Sequence, residues 1–233
     1  MSIPNSNATV SQPAQLPGLF GTVLELPPVT SKTRLESLSD GVFAVAMTLL
    51  VLDVKVPSFP SDVTSVQLGF ALLALWPKIG AFVLSFLFLS RIWYVNRFVF
   101  HTFERVDYAL YYTNVFNLLL VCFVPFSTSL VAEHPHVNIA ASIYAANITA
   151  VALCNGVMWF HAARHRELFK SEITDAIAEL FTRRYAVVVG AYLLSLPISY
   201  FSGELSILWI FILQMIYQLK PFFVLGNRFE LKS

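Results

Sequence analysis

An all-α integral membrane architecture, six transmembrane helices in one chain, follows from three features of these 233 residues. Hydrophobic residues make up 57% of the chain and charged residues 12%, roughly half the charged share of a soluble domain. Mean hydropathy is +0.68, and the apolar residues come in blocks of membrane-crossing length. Lysine and arginine gather in alternate segments between those blocks, as the positive-inside rule requires of a polytopic protein. The formal net charge of +1 argues against a nucleic-acid partner, which needs a basic face.

Residues 1–33 read as a disordered cytosolic tail. The stretch MSIPNSNATVSQPAQLPGLFGTVLELPPVT is rich in Pro, Ser and Asn and lacks a basic segment followed by an apolar one, so no cleavable signal is expected. Residues 34–226 form the membrane domain and 227–233 a short cytosolic C-terminus. A helix rises about 1.5 Å per residue, so about 20 apolar residues cross the hydrocarbon. Six segments qualify: 36–56, 78–100, 109–131, 138–160, 184–201 and 205–226. Pro57 and Pro60 end the first, because proline lacks a backbone donor and clashes with the preceding turn. The stretch SVQLGFALLALW, 65–76, is too short to cross before Pro77 and Lys78 interrupt it. It is expected as an interfacial helix beside the second span. Pro125 and Pro197 fall inside spans three and five and predict kinks.

The linker 161–183 carries Ile173, Ile177, Leu180 and Phe181 on one side of a helical wheel, which predicts an amphipathic helix along the cytosolic interface. Dividing the 15 Lys and Arg residues by side gives thirteen against two, the two being Lys55 and Lys78. Both termini are therefore expected in the cytosol.

Catalytic signatures are absent. The chain has no G-x-S-x-G elbow, no H-E-x-x-H, no phosphate-cradling glycine loop and no paired intramembrane carboxylates, so no enzyme and no cofactor are expected. His161 and His165 stand i, i+4 with Arg164 between them and no evident third ligand. They read as interfacial residues, and His134 and His136 as loop residues. Cys122 and Cys154 read as buried small hydrophobes.

The first span carries the chemistry. Gly41, Val45, Thr48 and Leu52 recur at i, i+4, i+7, i+11 and share one face. That face suits a packing seam of small residues or the uncharged lining of a pore. Asp40 lies in the first turns, where the macrodipole favours negative charge. Ser39 is a candidate cap and Arg34 a candidate partner for the carboxylate. Asp40 thus reads either as a helix-start residue with an ion pair or as part of an intramembrane polar network.

The string RLESLSDGVFAVAMTLLVL, Arg34 to Leu52, resembles the signature of the Transmembrane protein 175 family of potassium channels: Arg, three residues, then Phe-Ser-Asp. SFLFLSRIW (85–93) and NVFNLLLVCFVPFSTSL (114–130) are similar to later family stretches. The resemblance covers 34–131 well and the rest loosely. It implies one six-helix repeat per chain, assembled as a homotetramer with the first helix lining a central pore. It makes Val45 the constriction, Thr48 an adjacent polar ring and Leu52 a further apolar ring, with Arg34, Ser39, Asp40 and Trp93 anchoring the pore helix. Leu38 departs from the motif's Phe, and Asn96 and Arg97 follow Trp93 where relatives carry His. The implied function is passive K⁺ conduction in a prokaryotic plasma membrane, with membrane lipids and monovalent cations as partners. A secondary transporter or proton-coupled carrier using Asp40 is the alternative.

Overall fold

Among the described residues of the computed structural model, five helices are long and apolar enough to cross a membrane. The structure describes residues 31–55 and 64–219. Pro57, Pro60, most of the N-terminal tail, the C-terminus and the last part of the sixth predicted span lie outside them. In order come α1 (Lys32–Leu49) with a 3-10 extension (Leu50–Asp53), α2 (Ser65–Ala74), α3 (Trp76–Thr102), α4 (Tyr108–Glu133), α5 (Asn138–Arg164), α6 (Asp175–Leu193), α7 (Ser195–Phe201) and α8 (Gly203–Leu219). The spans are α1 with its extension, α3, α4, α5, and α6 with α7. Helix α8 occupies the sixth predicted position as a shorter apolar helix.

Helix α5 is the hub, with α3, α4, α6, α7 and α8 against it. Its sequence explains why: Ala140, Ala141, Ala145, Ala152 and Gly156 are buried on it, and small residues let helices approach closely without a bulky ridge. A Cβ on Gly156 would lie 3.0 Å from Val189 Cγ2 of α6. At the α7–α8 corner, a Cβ on Gly203 would lie 2.9 Å from Ala141 Cβ, and its backbone N–H donates to Asn138 Oδ1 at 3.0 Å. One set of polar groups buried between the spans pairs side chain to side chain, as a dry interior favours. Thr128 donates to Ser85 at 2.8 Å, and Ser85 and Tyr144 share a hydrogen bond of 3.0 Å, joining α4, α3 and α5.

The two internal prolines act differently. Pro125 leaves α4 unbroken; with its amide oriented to satisfy both ends, Asn147 donates to the Leu120 carbonyl and accepts from the Val124 N–H. Pro197 instead divides its span, because it has no N–H for the Leu193 carbonyl. Helix α6 stops at Leu193 and α7 restarts at Ser195. Carbonyls around the break find side-chain donors: Ser195 and Thr149 bond the Tyr192 oxygen at 2.6 and 3.0 Å, and Trp209 bonds that of Ala191 at 2.9 Å.

Three expectations need correction. The 161–183 linker forms no separate interfacial helix. A 3-10 turn (Arg166–Leu168) follows α5, and then Thr174 caps a helix that runs on from Asp175 to Leu193. Ile177 and Phe181 point into the bundle while Leu180 stays outside. The reason is that the α3–α4 and α5–α6 loops pair edge to edge through Phe103 and Phe169, holding this segment against the bundle. Cys122, expected inside, is exposed on α4, and Cys154 is buried; both are free thiols. Arg91, one of the thirteen cations expected on the cytosolic side, stands mid-α3 beside a small cavity shared with Asn155, Tyr185, Tyr192 and Tyr217.

Helix α2 forms where the short interfacial helix is predicted, with a Thr64–Gln67 capping box at its start and no buried residue.

At the other corner of these loops, Asp107 caps α4 through the Leu110 N–H at 2.8 Å and meets His161 Nε2 at 2.7 Å. Partial burial pushes its carboxyl upward, but the Leu110 N–H and His161 outweigh that and hold it below the ordinary 3.8. A depressed carboxyl contributes stability that is complete above its unfolded value and lost as pH falls through the folded one. The melting temperature of the purified protein should therefore fall on acidification below about pH 4, and Asp107→Asn should flatten that decline. Equal acid sensitivity in both proteins would rule out Asp107 as its source.

Candidate pore-lining helix and its anchoring network

Helix α1 divides cleanly into two faces. Leu35, Ser39, Phe43 and Ala46, with Leu50 in the extension, are buried against α3 and α4. Gly41, Val45, Thr48 and Leu52 lie on the outward side, with Val45 57% and Leu52 63% exposed. The i, i+4, i+7, i+11 stripe thus stays outside the buried core of the described residues. Thr48 Oγ1 donates to the Val45 carbonyl at 2.8 Å. Its hydrogen is used inside the helix, so the oxygen lone pairs remain for whatever faces the stripe.

The opposite face is held by a chain of side-chain hydrogen bonds. Ser39 Oγ donates to the Leu35 carbonyl at 2.9 Å and accepts from Asn114 Nδ2 at 3.0 Å. Asn114 Oδ1 in turn accepts from Asn96 Nδ2 at 3.0 Å. All three side chains are buried, so these bonds link α1, α4 and α3 away from water. One residue on, Asp40 Oδ1 accepts from Trp93 Nε1 at 2.7 Å, and the Arg97 guanidinium lies 5.8 Å from the Trp93 ring centre. A cation over an indole is electrostatically favourable.

Among the predicted anchors, Ser39, Asp40 and Trp93 come together and Arg34 does not. Arg34 is exposed and forms no ion pair with Asp40. Six residues of helix separate the two by about 9 Å along the axis and roughly 120° around it. Leu38 is likewise exposed, outside the hydrogen-bonded network. Asn96, in the turn after Trp93, supplies the donor to Asn114. Asn114, missing from the predicted network, stands at its centre. Its signal was the amide itself, since an Asn in the middle of an apolar span is costly unless paired.

A family model described as the endosomal/lysosomal potassium channel TMEM175 matches residues 34–125. A potassium channel of Chamaesiphon minutus is 37% identical over 201 residues, covering 85% of this chain and 98% of its own. The chain belongs to the TMEM175 family. A potassium channel of Streptomyces collinus is also 37% identical, over 75% of this chain and 85% of its own. The crystal structure of a lysosomal potassium-selective channel TMEM175 homolog from Chamaesiphon minutus superimposes with a TM-score of 0.71 at 38% identity, covering 82% of this chain and 98% of that one. The span matched by the TMEM175 model contains every residue of the anchoring network, from Ser39 to Asn114. Helices α5 to α8 lie beyond it.

Proposed function

We propose that this multi-pass membrane protein is a potassium channel in which α1 of each of four identical subunits lines one central pore. The observation that carries this reading is the division of α1: one face is fastened by Ser39, Asp40 and their partners, and the other leaves Val45, Thr48 and Leu52 exposed. Around a fourfold axis these residues become rings. Val45 and Leu52 restrict hydration, and Thr48 offers oxygen lone pairs to a partly dehydrated ion. Weakly polar rings of this kind favour the more easily dehydrated cation, so K⁺ passes more readily than Na⁺. Both termini lie in the cytosol, on the side rich in Lys and Arg, and the membrane is the prokaryotic plasma membrane. Asp40 serves as a partner for Trp93, which favours anchoring over ion coupling.

Planar-bilayer recording of the reconstituted protein tests this. Single-channel K⁺ currents are expected, and saturating, strictly coupled turnover without them would replace the channel with a carrier. Val45 is smaller than Leu, so Val45→Leu should narrow the constriction and raise the K⁺/Na⁺ permeability ratio obtained from reversal potentials. An unchanged ratio would count against Val45 as the constriction.

A further inference from the structure

The first residue of α1 is a lysine in the wrong place for its own helix. Lys32 stands in the first turn, where the positive end of the macrodipole disfavours a cation. The same turn holds no acid, and the cap residue Ser31 makes no side-chain cap bond. Neither the helix dipole nor the cap therefore accounts for Lys32. Its ammonium instead reaches across the bundle, Nζ donating to the Phe103 carbonyl at 2.6 Å. Phe103 closes the C-terminus of α3, the end at which exposed carbonyls and the dipole welcome a cation.

That carbonyl belongs to a rigid platform. Phe103 and Phe169 form an antiparallel bridge. Beside it, Glu104 N–H donates to the Leu168 carbonyl at 2.8 Å and Lys170 N–H to the Thr102 carbonyl at 3.0 Å. Below the bridge the Phe103, Phe169, Trp159, Phe181 and Tyr185 rings stack in one buried cluster. The charged neighbours of Lys32 are Glu36, Glu104 and Lys170, two of them on the platform loops. We infer that Lys32 is a positioning residue: its bond to the Phe103 carbonyl clasps the foot of α1 to this platform and sets the pose of the stripe above it. The inference rests on α1 being the pore helix.

Two readouts on the reconstituted full chain test it. Lys32→Met keeps the stem and removes the donor, and Lys32→Arg keeps a donor of similar reach. Loss of one charge-assisted hydrogen bond should shift the open probability of Lys32→Met about tenfold, with assembly and unitary conductance unchanged. Lys32→Arg should behave as the parent. Amide hydrogen exchange over 33–37 should quicken in Lys32→Met and not in Lys32→Arg. If Lys32→Met does not assemble, Lys32→Gln replaces it under the same criteria. Parental open probability and parental exchange in the Met or Gln protein would overturn the clasp, as would an Arg protein that behaves like Met. A parent that passes no current leaves the exchange arm to decide the clasp and defeats only the channel reading.

Discussion

Asn114→Leu is expected to produce the largest stability loss of any single change in the network. The substitution keeps the branching and the number of heavy atoms and adds volume, so none of the effect comes from a cavity. What it removes is the acceptor for Asn96 Nδ2 and the donor to Ser39. Ser39 retains the Leu35 carbonyl, but the Asn96 amide is left buried and unsatisfied. An orphaned buried amide costs about 1–3 kcal/mol, and the lost bond to Ser39 adds about 0.6 kcal/mol, an average for membrane interiors. A total of about 3 kcal/mol corresponds to roughly a hundredfold in the opening equilibrium of α1. Thermal melts of the detergent-solubilised protein and hydrogen exchange along α1 would record it. Asn96→Leu combined with Asn114→Leu removes both polar partners and should recover part of the loss, because no amide is then left alone. Strict additivity of the two single changes would mean that the pair is not coupled.

The same geometry explains which parts of this site could be read in advance. The stripe of Gly41, Val45, Thr48 and Leu52 obeys helical period, a property of one segment, and the structure places all four on one face. Asp40 and Ser39 do not start a helix as expected: α1 begins at Lys32, which puts both beyond its free N–H groups, and Asp40 finds its donor in Trp93. Arg34 does not pair with Asp40, because six residues of helix set the two on different sides. Asn114 could not be assigned from one sequence because its role depends on which faces of α3 and α4 meet. The linker beyond α5 was misjudged for a similar reason. Its amphipathic pattern was real, but the apolar side of Ile177 and Phe181 meets the Trp159 cluster instead of lipid. Thr174 followed by Asp175 was the local clue that a helix starts there.

Val45→Trp should abolish K⁺ current while leaving the protomer folded. Val45 is 57% exposed and lies outside the buried core, so a larger side chain there strains no core. At a constriction on a fourfold axis, four indoles would fill the passage and exclude water, and an ion without hydration or replacement ligands does not cross. On a lipid-facing surface the same change would be nearly silent, because tryptophan and valine are both tolerated against acyl chains. Val187 is the matched control: it is 68% exposed on α6, a helix that packs on α5 and α7 and not on α1. Val187→Trp should therefore keep parental current, assembly and permeability ratio. Equal behaviour of the two tryptophan proteins would move the pore away from α1. Loss of current at Val45 alone, with both proteins migrating as intact oligomers, would place the ion path along the face of α1 that carries Val45, Thr48 and Leu52.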